Sequence, residues 1–290
     1  MTTNPQRTWI SLMGAAVLLA AVSVSAQNLF VVDNTHAGNI DVFTPGGIQS
    51  TFATGFDLPY AEAFNSAGDL FVSDANNGVI TEVTPGGAQS TFATGLSHPW
   101  GLAFNSAGNL FVANYDSGAI TEITPGGVKS TYATGVVGSA GLAFNSAGDL
   151  FVANYGYGGG VTEITPGGVK STFATGFLAP ESIAFDSAGD MFVGDESAEN
   201  IIEFTPGGTR SIFATGLNPY AMAFNSSGDM FVANPLDNNV LAITPSGTKS
   251  IYASGFVDPL GVALPPVVPE PSVMGLLGIG AAAFLSRRRR

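Results

Sequence analysis

The sequence predicts an all-β fold, a six-bladed propeller with four antiparallel strands per blade, from three observations. A Pro-Gly-Gly turn recurs at Pro45, Pro85, Pro125, Pro166 and Pro206, and a Pro-Ser-Gly variant follows at Pro245, so the repeating units are 39 to 41 residues long. Each unit holds four short runs of strand-forming residues separated by turn chemistry. Glycine is too abundant for long helices (38 of 290 residues), and a hydrophobic content of 45% is too high for a disordered chain. Four strands in about 40 residues, repeated six times, is the arithmetic of a propeller blade and not of a helical solenoid.

Within one unit the strands fall at residues 101–104, 110–113, 119–124 and 129–133, with turns at 105–109, 115–118 and 125–127. The repeat region opens at Leu29-Phe30-Val31, a second strand, and its last recognisable element, residues 261–264, is a first strand without successors. The six sets of strands balance only if this C-terminal strand completes the N-terminal blade, which removes the open edge between the first and last blades. The first strands alternate small and large residues. One column reads Ala61, Gly101, Gly141, Ser182, Ala221 and Gly261; the next reads Glu62, Leu102, Leu142, Ile183, Met222 and Val262. Such alternation suits strands that converge on a narrow axis. Second strands are apolar without alternation, as expected where blades cover both faces.

Fourth strands read as exposed outer edges, and all four internal cations, Lys129, Lys170, Arg210 and Lys249, occupy one equivalent position there. Edge cations hinder strand addition by a second molecule. With Pro-Gly at the centre of each turn, Glu122 is expected opposite Lys129, Glu163 opposite Lys170 and Glu203 opposite Arg210. Such pairs contribute about 0.2–1 kcal/mol each.

The two ends read as addresses. Residues 1–26 place Arg7 before an apolar run and finish Val24-Ser25-Ala26, the pattern of a secretory signal cleaved before Gln27. Residues 27–264 form the propeller, and residues 265–290 a linker and tail. In the tail, Pro269-Glu270-Pro271, the apolar segment 273–285 and the run Arg287 to Arg290 resemble a PEP-CTERM sorting signal. That resemblance implies processing by an exosortase and export to the surface or the exopolysaccharide matrix. It also implies a helix that enters the membrane in transit, the four arginines holding its end at the cytoplasmic interface. Helical segments are expected only at these two ends.

The Pro-x-Gly-Leu-Ala-Phe opening, the Asn-Ser-Ala-Gly-Asp turn and the Leu-Phe-Val-Ala-Asn strand resemble the NHL-type repeat. They are also similar to the wider six-bladed group with gluconolactonase-like lactonases and streptogramin lyases. The likeness covers all six units and implies the fold. For function it implies two alternatives, since these blades carry enzymes and binding proteins alike.

Composition narrows the partners. Of nine Lys and Arg, five lie at the termini, against 22 acidic residues in the chain; such a surface repels phosphate and argues against nucleic acid. Without cysteine there is no disulfide, thiolate metal site or cysteine nucleophile. The connections from fourth to first strands and from second to third strands vary among the repeats and are expected to share one face, while the other turns are nearly identical. At the ends of the second strands, Asp33, Asp74, Asn114, Asn154, Asp195 and Asn234 form a ring that fits either a turn cap or a calcium site. Just before the first strands lie Tyr60, Trp100, Ala140, Glu181, Tyr220 and Leu260; their aromatics fit either stacking on sugar or peptide, or rim packing.

Glu62 breaks the aliphatic axial column, as functional and strained positions do, or it faces water in the channel. Only His36 and His98 are available as a histidine base, and the calcium ligands of the lactonases are matched only by Glu181 in its column. No catalytic constellation, resident metal or cofactor is assigned, with calcium the one weak possibility. The binding candidates are Tyr60, Glu62, His98, Trp100, Glu181 and Tyr220. The expected role is a binding or structural module that engages polysaccharide or a surface protein. The alternative is a divergent metal-dependent lactonase or lyase using Glu62, Glu181 and His98.

Overall fold

A computed structural model describes residues 27–34, 38–156 and 158–267, and within them every strand belongs to one of six four-stranded antiparallel sheets. Blades I to VI take their inner strands from Pro259–Ala263, Pro59–Phe64, Pro99–Phe104, Ser139–Phe144, Pro180–Phe185 and Ala221–Phe224. Inner strands of successive blades pack side by side, VI against I included, so the six sheets form a closed ring.

The predicted closure is present. Pro259–Ala263 pairs antiparallel with Leu29–Asp33, with Val262 opposite Val31, and so supplies the inner strand of blade I. There is no single core. Six apolar clusters lie between neighbouring blades, and in each the second-strand residues are buried on both faces. The small column of the first strands has its expected cause: a Cβ added to Gly141 would stand 2.6 Å from Glu181 O and 2.8 Å from Ser182 Cα of the next blade. Five inner strands also carry a register shift at their start, between Pro59 and Glu62, Pro99 and Leu102, Ser139 and Leu142, Pro180 and Ser182, and Pro259 and Gly261. Such bulges re-aim side chains, and they set the residues at the channel mouth.

One register differs from expectation. The turn between third and fourth strands is three residues long, with Thr124 N bonded to Val128 O and Gly127 N to Thr124 O, and Gly127 holds φ 77°. The extra residue places Ile123 opposite Lys129 and Glu122 opposite Ser130; Glu163 and Glu203 likewise face Ser171 and Ser211. A shift of one position exchanges the faces of a strand, so the three expected ion pairs do not form. The cations reach the preceding blade instead: Lys129, Lys170 and Lys249 donate to the carbonyls of Thr94, Thr134 and Thr215, and Arg210 Nη1 donates to Thr175 O at 3.1 Å. They stitch neighbouring edges together.

The terminal segments expected to be helical lie outside the described residues. Among the described residues the propeller is all strand and turn, as expected, apart from a single three-residue 3₁₀ turn at Pro235–Asp237. Among the described residues no helix is long and apolar enough to cross a membrane.

Candidate functional site

The fourth-to-first and second-to-third connections do share a face, because they bond to each other: Ala75 N to Leu58 O, Tyr115 N to His98 O, Tyr155 N to Gly138 O, and Glu196 N to Ala179 O. Beneath them, the ring of six Asp and Asn residues caps backbone. Asp195 accepts from Leu178 N and Ala179 N, at 2.9 and 2.8 Å for its shortest contacts; Asn234 Oδ1 accepts from Asn218 N at 2.7 Å, and Asn114 Oδ1 from Ser97 N at 3.0 Å. Asp74 caps Asp57 N, and Asp33 caps Val257 N and Asp258 N. These capped amides lie on the incoming connection, and Asp74 also accepts from Asn77 N in its own turn. Asn154 departs from the pattern, donating to Val137 O and accepting from Thr162 Oγ1.

With these oxygens aimed at amides around the rim, the donor set does not make a calcium cage. Among the described residues no three His, Asp or Glu side chains gather closely enough to hold a metal.

The mouth of the axial channel is built differently. Tyr60, from blade II, crosses the axis and its hydroxyl donates to Glu181 Oε1 of blade V, the blade diametrically opposite. Trp100 stacks on Tyr60 (ring centroids 4.3 Å apart, planes 9° apart), and Tyr115 stacks on Trp100 (3.7 Å, 15°). Tyr220 leans against Tyr60 at 6.4 Å, and Tyr155 meets Trp100 edge-on at 5.8 Å. The aromatics expected as separate rim residues therefore form one stack that closes the mouth. Offset stacking of this kind contributes about 0.5–1.5 kcal/mol per pair beyond burial.

Below the stack, a cavity of about 90 Å3 is lined by the small residues and by the aliphatic column that Glu62 interrupts. It has room for a few waters and is far below the several hundred Å3 of an organic-ligand pocket. Glu62 is buried with neither carboxyl oxygen partnered, and burial pushes its pKa well above the ordinary 4.5; the Ala263 amide offsets only part of this. Glu181 is buried too, and its Oε2 is unpartnered. Burial raises its pKa to about 8, against the Tyr60 hydrogen bond, which lowers it, and with Glu196, which raises it further. Desolvation keeps Glu181 protonated near neutral pH, a state suited to donating a hydrogen bond and unsuited to binding a cation, and acts on Glu62 in the same direction. Tyr60 and Tyr220 are raised as well, first by burial and then by Glu181.

His98 is half-buried, not a free loop side chain. It holds φ 53°, its Nδ1 lies 3.5 Å from Asp116 Oδ1, and its ring stands edge-on to Trp100 and Tyr115. Its Nε2 and the Trp100 Nε1 are both buried without a partner. His36 lies outside the described residues. Of the six candidates, Tyr60, Trp100, Glu181, Tyr220 and His98 belong to one connected group, and Glu62 lines the cavity beneath it. Glu62, Glu181 and His98 are not bonded to one another. Tyr115 and Tyr155 complete the stack and were not singled out from sequence. Their signal was present, since both sit at one equivalent position directly after the Asn cap of blades III and IV.

Residues 267–290 match the PEP-CTERM protein-sorting motif. No curated protein matches the chain. Among solved structures, a chain of a nidogen/laminin complex is similar in fold (TM-score 0.76, 15% identity, 83% of this chain and 99% of that one). A protein assigned as a gluconolactonase (0.64, 14%, 74% and 88%) and virginiamycin B lyase from Staphylococcus aureus (0.60, 15%, 80% and 85%) share the architecture. At these identities the likeness is one of fold. The chain is a six-bladed β-propeller of the kind seen in nidogen-type, gluconolactonase-like and streptogramin-lyase structures, and it ends in a PEP-CTERM sorting motif.

Proposed function

We propose that this is an exported, cell-surface propeller that acts as a binding or structural module of the envelope or exopolysaccharide matrix, using the variable-loop face. The sorting motif supports export and recognition by an exosortase. The observation that carries the binding role is the closed mouth: Tyr60 spans the axis and leaves about 90 Å3 below it, so a macromolecular ligand meets the loop face and its aromatic stack, not the channel. Binding of cell-wall or exopolysaccharide preparations by the wild type, Trp100→Ala and Tyr60→Ala tests this. Retention should fall at least tenfold in both variants; unchanged retention in both removes the aromatic stack from the function.

The alternative, a divergent metal-dependent lactonase or lyase, draws on the fold likeness alone. Its acid–base candidates are unconnected, and two of the three are carboxyls whose pKa burial raises.

A further inference from the structure

The loop face is divided. At the second position of the fourth-to-first connections, blades II, III and VI carry Asp57, Ser97 and Asn218, whereas blades IV, V and I carry Val137, Leu178 and Val257, exposed by 80%, 48% and 58%. Blade VI adds Leu236 from its other loop, exposed by 63%, so exposed aliphatic side chains stand in an arc on the four successive blades IV, V, VI and I. Each residue of the fourth-to-first set follows a buried anchor, Val136, Phe177 or Phe256, which holds the exposed side chain in a fixed place. Val128, Val169, Ile212 and Ile251 stand one to a blade on the outer edge within two residues of a cation, and Ile48 stands there in blade I beside Gln49. Single exposed residues need no explanation, but anchored, exposed aliphatic residues on four successive blades of one face do.

Charge identifies the occupant. Asp237 and Asp258 stand in the same loops as the arc, Glu196 and Glu199 in the blade V loop that bonds to the Leu178 connection through Glu196 N and Ala179 O, and among the described residues every Lys and Arg lies on an outer strand. The cation nearest the arc, Arg210, lies with its guanidinium on the Phe177 ring, 4.7 Å from the centroid, and donates to backbone carbonyls. The face therefore offers aliphatic contact and carboxylates, while the cations that flank it, Lys170 and Arg210, are bound to the backbone carbonyls of Thr134 and Thr175. A second copy of this acidic chain would be repelled. Within the described residues the chain leaves this face: Pro259–Ala263 runs away from the loops, and Gln27 Nε2 donates to Pro265 O on the opposite side of the ring.

We infer that the arc over blades IV, V, VI and I docks a protein segment that presents aliphatic side chains together with Lys or Arg. This rests on the reading of the loop face as the binding surface and gives it a partner class, protein rather than polysaccharide.

The test uses the full chain held by its tail in lipid nanodiscs and three labelled 14-residue probes: an amphipathic Leu/Lys peptide, a Ser/Lys peptide of equal charge, and a Leu/Glu peptide. Fluorescence polarisation should show the Leu/Lys peptide bound at least tenfold more tightly than either of the others. The triple variant Val137→Asn, Leu178→Asn, Val257→Asn, whose sites are exposed and do not support the core, should abolish that preference. The double variant Glu196→Gln, Asp258→Asn should reduce both the affinity and its salt dependence. Equal binding of the Ser/Lys peptide, or an unchanged preference in the triple variant, overturns the inference, as does dimerisation of the wild type through this face. If the triple variant also keeps full polysaccharide retention while Trp100→Ala loses it, the loop face binds but the partner class is wrong. If neither loses it, the reading of the face itself fails.

Discussion

The two faces of the ring are made from the same six repeats and solve their polar groups in opposite ways. On the turn face each blade closes on itself: Asn65 Oδ1 accepts from Ala67 N and Asp69 N at 2.9 Å, and Asn105, Asn145, Asp186 and Asn225 repeat this with almost no variation. On the loop face the bonds run between connections, and the axial end leaves Glu181 Oε2, Trp100 Nε1 and His98 Nε2 buried without partners. A face satisfied within each repeat tolerates duplication without change. A face satisfied across repeats, with polar atoms left over, is where the repeats have diverged and where strain and function are expected.

The largest effect expected from breaking this contrast is steric. Gly141→Val places side-chain atoms against the blade V backbone at the axial end, where neither strand has room to move, and should cost about 3 kcal/mol. For a domain of this size that lowers Tm by about 6–12 °C. Gly126→Ala on the turn face, whose added Cβ would meet only Thr124 Oγ1 at 3.9 Å, should change Tm by less than about 2 °C. Thermal unfolding of the two variants side by side checks the comparison, and equal losses would refute it.

How far each face was legible follows from the same difference. Blade count, ring closure, the small axial column and the exposed outer edges were readable because each is stated six times in the sequence. Glu62 was readable as an exception to its column. The turn register was misjudged by one residue because Thr-Pro-Gly-Gly accommodates either a two- or a three-residue turn, and only the positive φ of the second glycine selects the longer. The bond from Tyr60 to Glu181 was not legible at all. It joins residues 121 apart in sequence on opposite blades and depends on a side chain just long enough to cross the axis. Tyr115 was hidden for a related reason: its partner, Trp100, lies on another connection of the same blade, and repeat columns do not reveal contacts between columns.

Electrostatics at the channel mouth sharpen the comparison next. The native state holds a proton on Glu181 up to about pH 8, whereas the unfolded chain releases it near 4.5. Between those values the folded state binds more protons, so stability falls as pH rises from about 4.5 through about 8 and is fully retained only below that window. The loss should reach on the order of 2 kcal/mol, part of the ~1.4 kcal/mol per pKa unit being relieved by water entering once the acid ionises. Glu181→Gln should flatten the profile, leaving the contribution of Glu62, which has the same sign. Urea unfolding at pH 5, 7 and 9 measures both; an unchanged slope in Glu181→Gln would show that the carboxyl is already ionised in the fold.

The smallest effect separates the two kinds of cap. Asp195→Ala leaves Leu178 N and Ala179 N without their acceptor, the second of them buried, a loss of about 1–3 kcal/mol. Asn145→Ala strips the same number of amides, but Ala147 is exposed and water replaces the acceptor, so about 1 kcal/mol or less is expected. Asn154→Ala should resemble the second case although it sits in the loop-face ring, because Asn154 caps no amide and only donates to Val137 O beside its contact with Thr162. Denaturant midpoints for the three variants rank them. If Asn154→Ala costs as much as Asp195→Ala, the ring acts through something other than the amides it caps, and the division of the molecule into a face closed within repeats and a face closed between them loses its energetic basis.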